Sequence, residues 1–217
     1  DKKEASRVLR MPVPAFVAAL LEGDHGRALR IAMEARERAG SRVAVFVDLL
    51  QPALYEIGEL WYRGEIKVVD ENRATGIVGG VTEALPPTPT PNPVPPSARC
   101  LMAAMGDEQH LLGLRQLQLA FQDDGWPVVL MGPRVQPDAL ADEVRSTDPS
   151  LVCISAGYLP STSPIRRGIA AVRELRIPVL VGGPAFNRSP LLWRVVGADQ
   201  HGADARVALV LARRLLR

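Results

Sequence analysis

Residues 86 to 96 read "PPTPTPNPVPP", with seven prolines in eleven positions. Each proline fixes its own φ and lacks the amide hydrogen that a helix or a sheet ladder needs, so this stretch forms neither. It is an extended, semi-rigid spacer. The chain is thereby divided into a first part, 1–85, a linker, 86–97, and a second part, 98–217. A total of 217 residues leaves each part long enough to bury a core of its own.

The two parts differ in periodicity. The first is helical throughout. "VPAFVAALLEGDHGRALRIAMEARERAG" holds two amphipathic runs broken at "EGDHG", where Gly23 ends one helix and Asp24 caps the next. "SRVAVFVDLLQPALYEIGELWYRGEI" gives a third helix, opened by Ser41 and kinked or restarted near Pro52. "VDENRATGIVGGVTEAL" gives a fourth, with Asp70 as its cap and an acidic first turn. Four helices with short connections predict an antiparallel four-helix bundle.

The second part alternates. Continuously apolar runs at 99–105, 127–131, 150–156 and 178–183 are separated by helical runs at 110–123, 136–146, 163–175 and 187–196, and a last helix starts near 203. Short strands of this kind, each followed by an amphipathic helix, predict a parallel sheet covered on both faces. Right-handed crossovers make it a doubly wound, flavodoxin-like (Rossmann-type) α/β domain, with any ligand at the carboxyl ends of the strands.

Composition narrows the function. Hydrophobic residues at 47% and charged residues at 23% describe a globular chain without a disordered bias. A net charge of +2 gives no electrostatic case for nucleic-acid binding by this chain itself. No apolar run reaches the roughly 18 residues of a membrane span, and no signal peptide is visible, so a cytoplasmic protein is expected. Cys100 and Cys153 lie inside strand-like runs and are expected to be buried free thiols, while two Cys and three distant His match no zinc spacing. The first residue is Asp, so the natural N-terminus is expected to be missing, and whether a further domain preceded it is left open by the sequence.

Four loops line the predicted ligand edge: "GDEQHLLG" (106–113), "SAGYLPSTS" from Ser155, "GGPAF" from Gly182, and "GADQHGAD" (197–204). Their small residues would let a bulky ligand slide between backbone segments, and are equally explained as strand-to-helix punctuation. No phosphate loop, dinucleotide fingerprint or nucleophile elbow occurs. His110 stands out because the chain has only three histidines. As a neutral imidazole it could ligate a metal, with Glu108 accepting a hydrogen bond from its second nitrogen and raising its basicity. The alternative is a helix-start histidine satisfied by solvent.

The spacing joins these loops. Glu108-x-His110-x-x-Gly113 is followed by 41 residues, Ser155-x-Gly157, a further 24 residues and Gly182–Gly183. This resembles the pattern of cobalamin-binding domains, in which Asp-x-His-x-x-Gly, about 41 residues, Ser-x-Leu or a variant, about two dozen residues and Gly-Gly recur. The sequence departs from it at Glu108, where Asp is usual, and at Gly157, where Leu is common. The resemblance implies that His110 is the lower axial ligand of the cobalt of cobalamin. It also implies that the displaced nucleotide tail enters a gap beside Ser155, Gly157, Gly182 and Gly183, and that Glu108, Gln109, Gly113 and Leu159 are further cofactor-binding residues.

Residues 52–75, "PALYEIGELWYRGEIKVVDENRAT", resemble the helical cap of such proteins, as in methionine synthase and in CarH-type light-sensing regulators. The light sensors carry Trp, nine residues, then Glu-His; here Trp61 is followed by nine residues and Glu71–Asn72. By this resemblance cobalamin is held between cap and sheet domain, Trp61 covers its upper face, and Val68 and Glu71 lie near the upper ligand. Read without it, Trp61 is a core aromatic of the bundle. The family's second cobalt-capturing His after the Trp is replaced by Tyr62, so bis-histidine ligation through that position is absent.

Three functions follow from the resemblance. The first is a photoreceptor or transcription regulator carrying adenosylcobalamin, whose photolysis changes contacts with a DNA-binding partner or a trimmed DNA-binding domain, and allows a light-dependent homo-oligomer. The second is a corrinoid shuttle of a methyltransferase, carrying methylcobalamin. The third is a passive cobalamin carrier. With no acid–base pair or substrate pocket apart from the cofactor, the chain is not expected to be an enzyme.

Overall fold

The structure is a computed structural model that describes residues 11–91, 93–95 and 97–216. Residues 1–10 of the expected bundle, Asn92 and Pro96 of the expected linker, and Arg217 lie outside the described residues. The chain separates into two compact units, residues 1–88 and residues 89–217.

The first unit holds helices α1 (Val13–Glu22), α2 (His25–Ala39), α3 (Arg42–Val45), α4 (Gln51–Tyr62) and α5 (Val68–Ala84). Gly23 and Gly40 end α1 and α2 in the left-handed conformation, at φ 73° and 66°. Asp24 caps α2 by accepting the Arg27 amide at 2.8 Å, and Ser41 caps α3 by accepting the Ala44 amide at 3.3 Å. Helices α3 and α4 are one continuous rod, joined by a π-helical turn over Phe46–Leu50. That turn answers the kink expected at Pro52. The Gln51 amide donates to the Phe46 carbonyl, an i→i+5 bond, and the wider turn makes room for the proline ring without breaking the helix. Asp70 is not the cap of α5. Lys67 holds that position, and Asp70, three residues on, accepts the Lys67 amide at 3.1 Å.

The four rods enclose Phe16, Leu20, Val45, Phe46, Leu49, Leu50, Ile57, Val78 and Val81. Ala28, Ala32 and Ala35 supply the buried face of α2, spaced at the helical period so that neighbouring backbones approach closely.

The second unit is a five-stranded parallel sheet in the order β2-β1-β3-β4-β5. The strands are β1 (Cys100–Ala104), β2 (Val128–Leu130), β3 (Leu151–Ser155), β4 (Val179–Gly182) and β5 (Gln200–Gly202). The helices are α6 (Leu112–Asp123), α7 (Pro137–Thr147), α8 (Ser163–Glu174), α9 (Pro184–Arg188), α10 (Leu192–Val196) and α11 (Ala205–Leu215). Alternation splits β1 between two cores. Cys100, Met102 and Ala104 pack with Leu114 and Phe121 of α6 and Ala208 of α11, and Leu101 and Ala103 pack with α7 and α8. This is the doubly wound, flavodoxin-like arrangement, and its switch point lies between β1 and β3.

Two expected segments differ. The helix expected at 187–196 is two short helices, because Pro190 forces Ser189 out of the helical region, to φ −129° and ψ 80°. The expected loop 197–204 contains β5, so His201 lies on a strand, paired in register with Val181. Among the described residues no helix is long and apolar enough to cross a membrane.

Candidate functional site

In the sheet unit the site is built where β1 and β3 end, on either side of the switch point. Met105 forms a last parallel bridge to Val135, and Gly106 turns the chain at φ 71°. Residues 107–111 then run as a loop, since α6 starts only at Leu112, and His110 stands ahead of the helix rather than on it. Glu108 is 5% exposed, whereas the His110 side chain is 86% exposed.

The two residues are tied tightly. Glu108 Oε1 accepts the His110 backbone amide at 2.7 Å and contacts His110 Nδ1 at 2.6 Å. Its other oxygen, Oε2, accepts the backbone amides of Gly157 and, at 3.3 Å, Tyr158. Burial pushes the Glu108 carboxyl up, but the amides of His110 and Gly157 and the His110 ring outweigh it and hold the group below the usual carboxylate range. The carboxylate engages Nδ1, which leaves Nε2 as the ring nitrogen available to an outside ligand.

Ser155 ends β3 in register with Ala104 and Gly182. A β-carbon on Gly182 would lie 2.9 Å from the Gly202 carbonyl oxygen, so this part of the edge is closed to side chains. Gly183 has φ 98° and follows directly. Leu159 lines a shallow cavity with Met105, Gly106, Tyr158 and Pro164, between the loops that follow β1 and β3. Gln109 and Gly113 are exposed, and a β-carbon on Gly113 would meet open space.

In the helical unit Trp61 is 50% exposed at the end of α4, so it is not the core aromatic that the sequence also allowed. Tyr62 is 82% exposed and Val68, at the start of α5, 57%. Glu71 is half-buried and accepts the Thr75 hydroxyl at 3.0 Å on the same face of α5. His25 is exposed in the first turn of α2, and His201 is bonded to Asn187 at 2.9 Å.

Sequence reasoning missed the amides of Gly157 and Tyr158 as carboxylate donors. The glycine at a position where the resembling family has leucine was the available signal.

Among the described residues no three His, Cys, Asp or Glu side chains gather as a metal site. A lone imidazole held through Nδ1 by Glu108, and otherwise exposed, fits a metal that brings its other ligands with it, as the cobalt of a corrin does. The residues present fit the group.

Comparison with known proteins agrees. A family model described as B12 binding domain matches residues 98–210, and a second model of the same description matches residues 15–85. The HTH-type transcriptional repressor CarH of Myxococcus xanthus is 27% identical over 143 residues, 64% of this chain and 47% of that protein. The chain thus spans about half the length of that relative. Among solved structures, the Methanosarcina barkeri monomethylamine corrinoid protein has a TM-score of 0.75 at 17% identity, over 92% of this chain and 96% of that one. A cobalamin-binding protein from Desulfitobacterium hafniense DCB-2 has a TM-score of 0.52 at 19% identity, over 94% of this chain and 98% of that one. These two likenesses speak for the fold. With one model covering more than half of its length, the chain belongs to the B12-binding domain family, and cobalamin is its cofactor.

Proposed function

We propose that this protein is a cobalamin-based light-sensing regulator, a binding protein rather than an enzyme, that carries adenosylcobalamin in the dark. In this reading His110 Nε2 would ligate the cobalt, and Glu108 holds the His110 ring by the 2.6 Å contact to Nδ1. Ser155, Gly157, Gly182 and Gly183 would border the nucleotide tail, and Gln109, Gly113 and Leu159 would be further contacts to the cofactor. Bound adenosylcobalamin supplies a cobalt–carbon bond weak enough for visible light to break.

One observation carries the choice of a light sensor. Trp61, Tyr62, Val68 and Val69 expose large apolar surfaces where α4 meets α5, while Phe16 and Phe46 of the same unit are fully buried. A soluble bundle keeps such surface when something covers it. Beside it, the Glu71 carboxylate and Thr75 hydroxyl offer polar partners that suit the hydroxyls of an adenosyl group better than a methyl group. Loss of such a group would uncover Trp61 and Val68 and change the surface that the helical unit offers to a DNA-binding partner, to a DNA-binding segment of a longer chain, or to a second copy. The name of the relative, a transcriptional repressor, supports a regulatory outcome.

The test is a visible absorption spectrum of protein loaded with adenosylcobalamin, recorded in the dark and after green light, with size-exclusion runs of both states. A lasting spectral change with a shift in assembly is expected. A bound cofactor whose spectrum and assembly ignore light would replace this reading with that of a methylcobalamin-carrying shuttle or carrier. His110→Ala is expected to weaken binding and shift the spectrum; unaltered spectra would remove His110 as ligand.

A further inference from the structure

We infer that Gly157 is a positioning residue for His110, matched to the extra methylene of Glu108, so that the two departures from the family pattern form one device. The inference deepens the reading of His110 as cobalt ligand and rests on it.

The Glu108 carboxylate spans two loops. One oxygen holds His110 through its backbone amide at 2.7 Å and its ring at 2.6 Å, and the other takes the amides of Gly157 and Tyr158 from the loop after β3. A β-carbon on residue 157 would lie 2.9 Å from that second oxygen, closer than real side chains approach, and 3.6 Å from the carboxyl carbon. Gly157 is not among the residues with positive φ, so its backbone does not itself require glycine. The missing side chain is explained by the carboxylate alone.

The converse holds for the acid. Aspartate is shorter by one carbon–carbon bond, about 1.5 Å, so from position 108 it cannot hold His110 and also reach the amides at 157 and 158. Glutamate with glycine closes the bridge, whereas a leucine at 157 would push the Glu108 carboxylate off the amides it holds. The bridge matters because the His110 side chain, 86% exposed, has no packing to fix it. The buried carboxylate supplies that orientation, and outer partners of this kind set ligand geometry and basicity.

The test is a double-mutant cycle in the full chain with Glu108→Asp, Gly157→Leu and the double variant, and with Gly157→Ala as a milder substitution. Two readouts are taken: the affinity and visible spectrum of bound cobalamin, which separates imidazole-ligated from unligated cobalt, and the urea midpoint of the cofactor-free chain. Each single change is expected to lower cobalamin affinity by about 10–100-fold and to raise the unligated fraction. The double variant is expected to recover much of that loss and to unfold at higher urea than the singles predict. Additive effects in both readouts, or Gly157→Ala and Gly157→Leu that leave both unchanged, would overturn the pairing. His110→Ala is run beside them. If it leaves the spectrum unaltered, the ligand reading fails, and the cofactor-free cycle still decides whether Glu108 and Gly157 are matched.

Discussion

A β-carbon placed on Gly183 would lie 2.6 Å from the carbonyl oxygen of Ala156. That oxygen is engaged by the Ala185 amide at 3.1 Å, so the backbone of the turn after β4 is pressed against the end of β3. Gly183 also has φ 98°, which side-chain-bearing residues rarely adopt. Gly183→Ala therefore meets both a backbone collision and an unfavourable conformation. A loss of about 1–3 kcal/mol is expected in urea unfolding, together with weaker cobalamin binding. Wild-type stability in this variant would mean that the turn relaxes freely.

Cys100 and Cys153 sit on the neighbouring strands β1 and β3 with their sulfurs 3.6 Å apart, both buried and both free thiols. Burial, and then the adjacent Cys153 thiol, push the Cys100 thiol well up, away from the reactive thiolate. Labelling with a disulfide reagent is expected to be at least about a thousandfold slower in the native protein than in urea, following the unfolding equilibrium. Rapid native labelling of either residue would show that the sheet opens locally.

Asp70 accepts the Lys67 amide at 3.1 Å and an Arg73 guanidinium hydrogen at 2.9 Å, in the first turn of α5. Asp70→Ala leaves one of the helix's first amides without its partner and removes a negative charge from the N-terminus. A cost of about 0.5–2 kcal/mol is expected in thermal or urea unfolding, and Asp70→Asn should recover part of it by keeping an acceptor. An unchanged midpoint in Asp70→Ala would show that solvent replaces the bond fully.

Such details mark where sequence ceases to be enough. Continuous apolar runs over β1, β3 and β4 were legible because both faces of each strand are buried. β5 was not, because "QHG" is short, polar and half-buried at the sheet edge. Asp70 was recognised as a start signal three residues off its place, since Asp serves both as a cap and as the residue three positions later. The pairing of Glu108 with His110 was readable from a spacing of two residues. The amides of Gly157 and Tyr158, about fifty residues away, come together only through the β1–β3 register. Trp61 pointed both ways, because a large aromatic beside a helix end is equally at home in a bundle core or under a ligand.

His201 gives the last prediction, on pH. Its Nε2 lies 2.9 Å from Asn187 Oδ1, and the Asn187 amide nitrogen is turned the other way, donating to the Ala203 carbonyl at 2.9 Å. Asn187 therefore accepts, His201 Nε2 carries the proton, and the neutral ring is already satisfied there. Burial beside Phe186 and the β4 edge lowers the His201 pKa from the ordinary histidine value. The sign follows from linkage. Above the unfolded value, about 6.5, the ring is neutral in both states and has no effect. As the pH falls through that value the unfolded chain takes up a proton that the folded ring refuses, so stability declines until the folded ring also titrates. Urea midpoints of the wild type and of His201→Gln, compared at pH 7.5 and 5.5, isolate this contribution, because His25 and His110 are common to both chains. The wild type is expected to lose more stability on acidification than the variant. Equal losses would mean that His201 titrates alike in the folded and unfolded chain, and that the Asn187 contact does not select its neutral form.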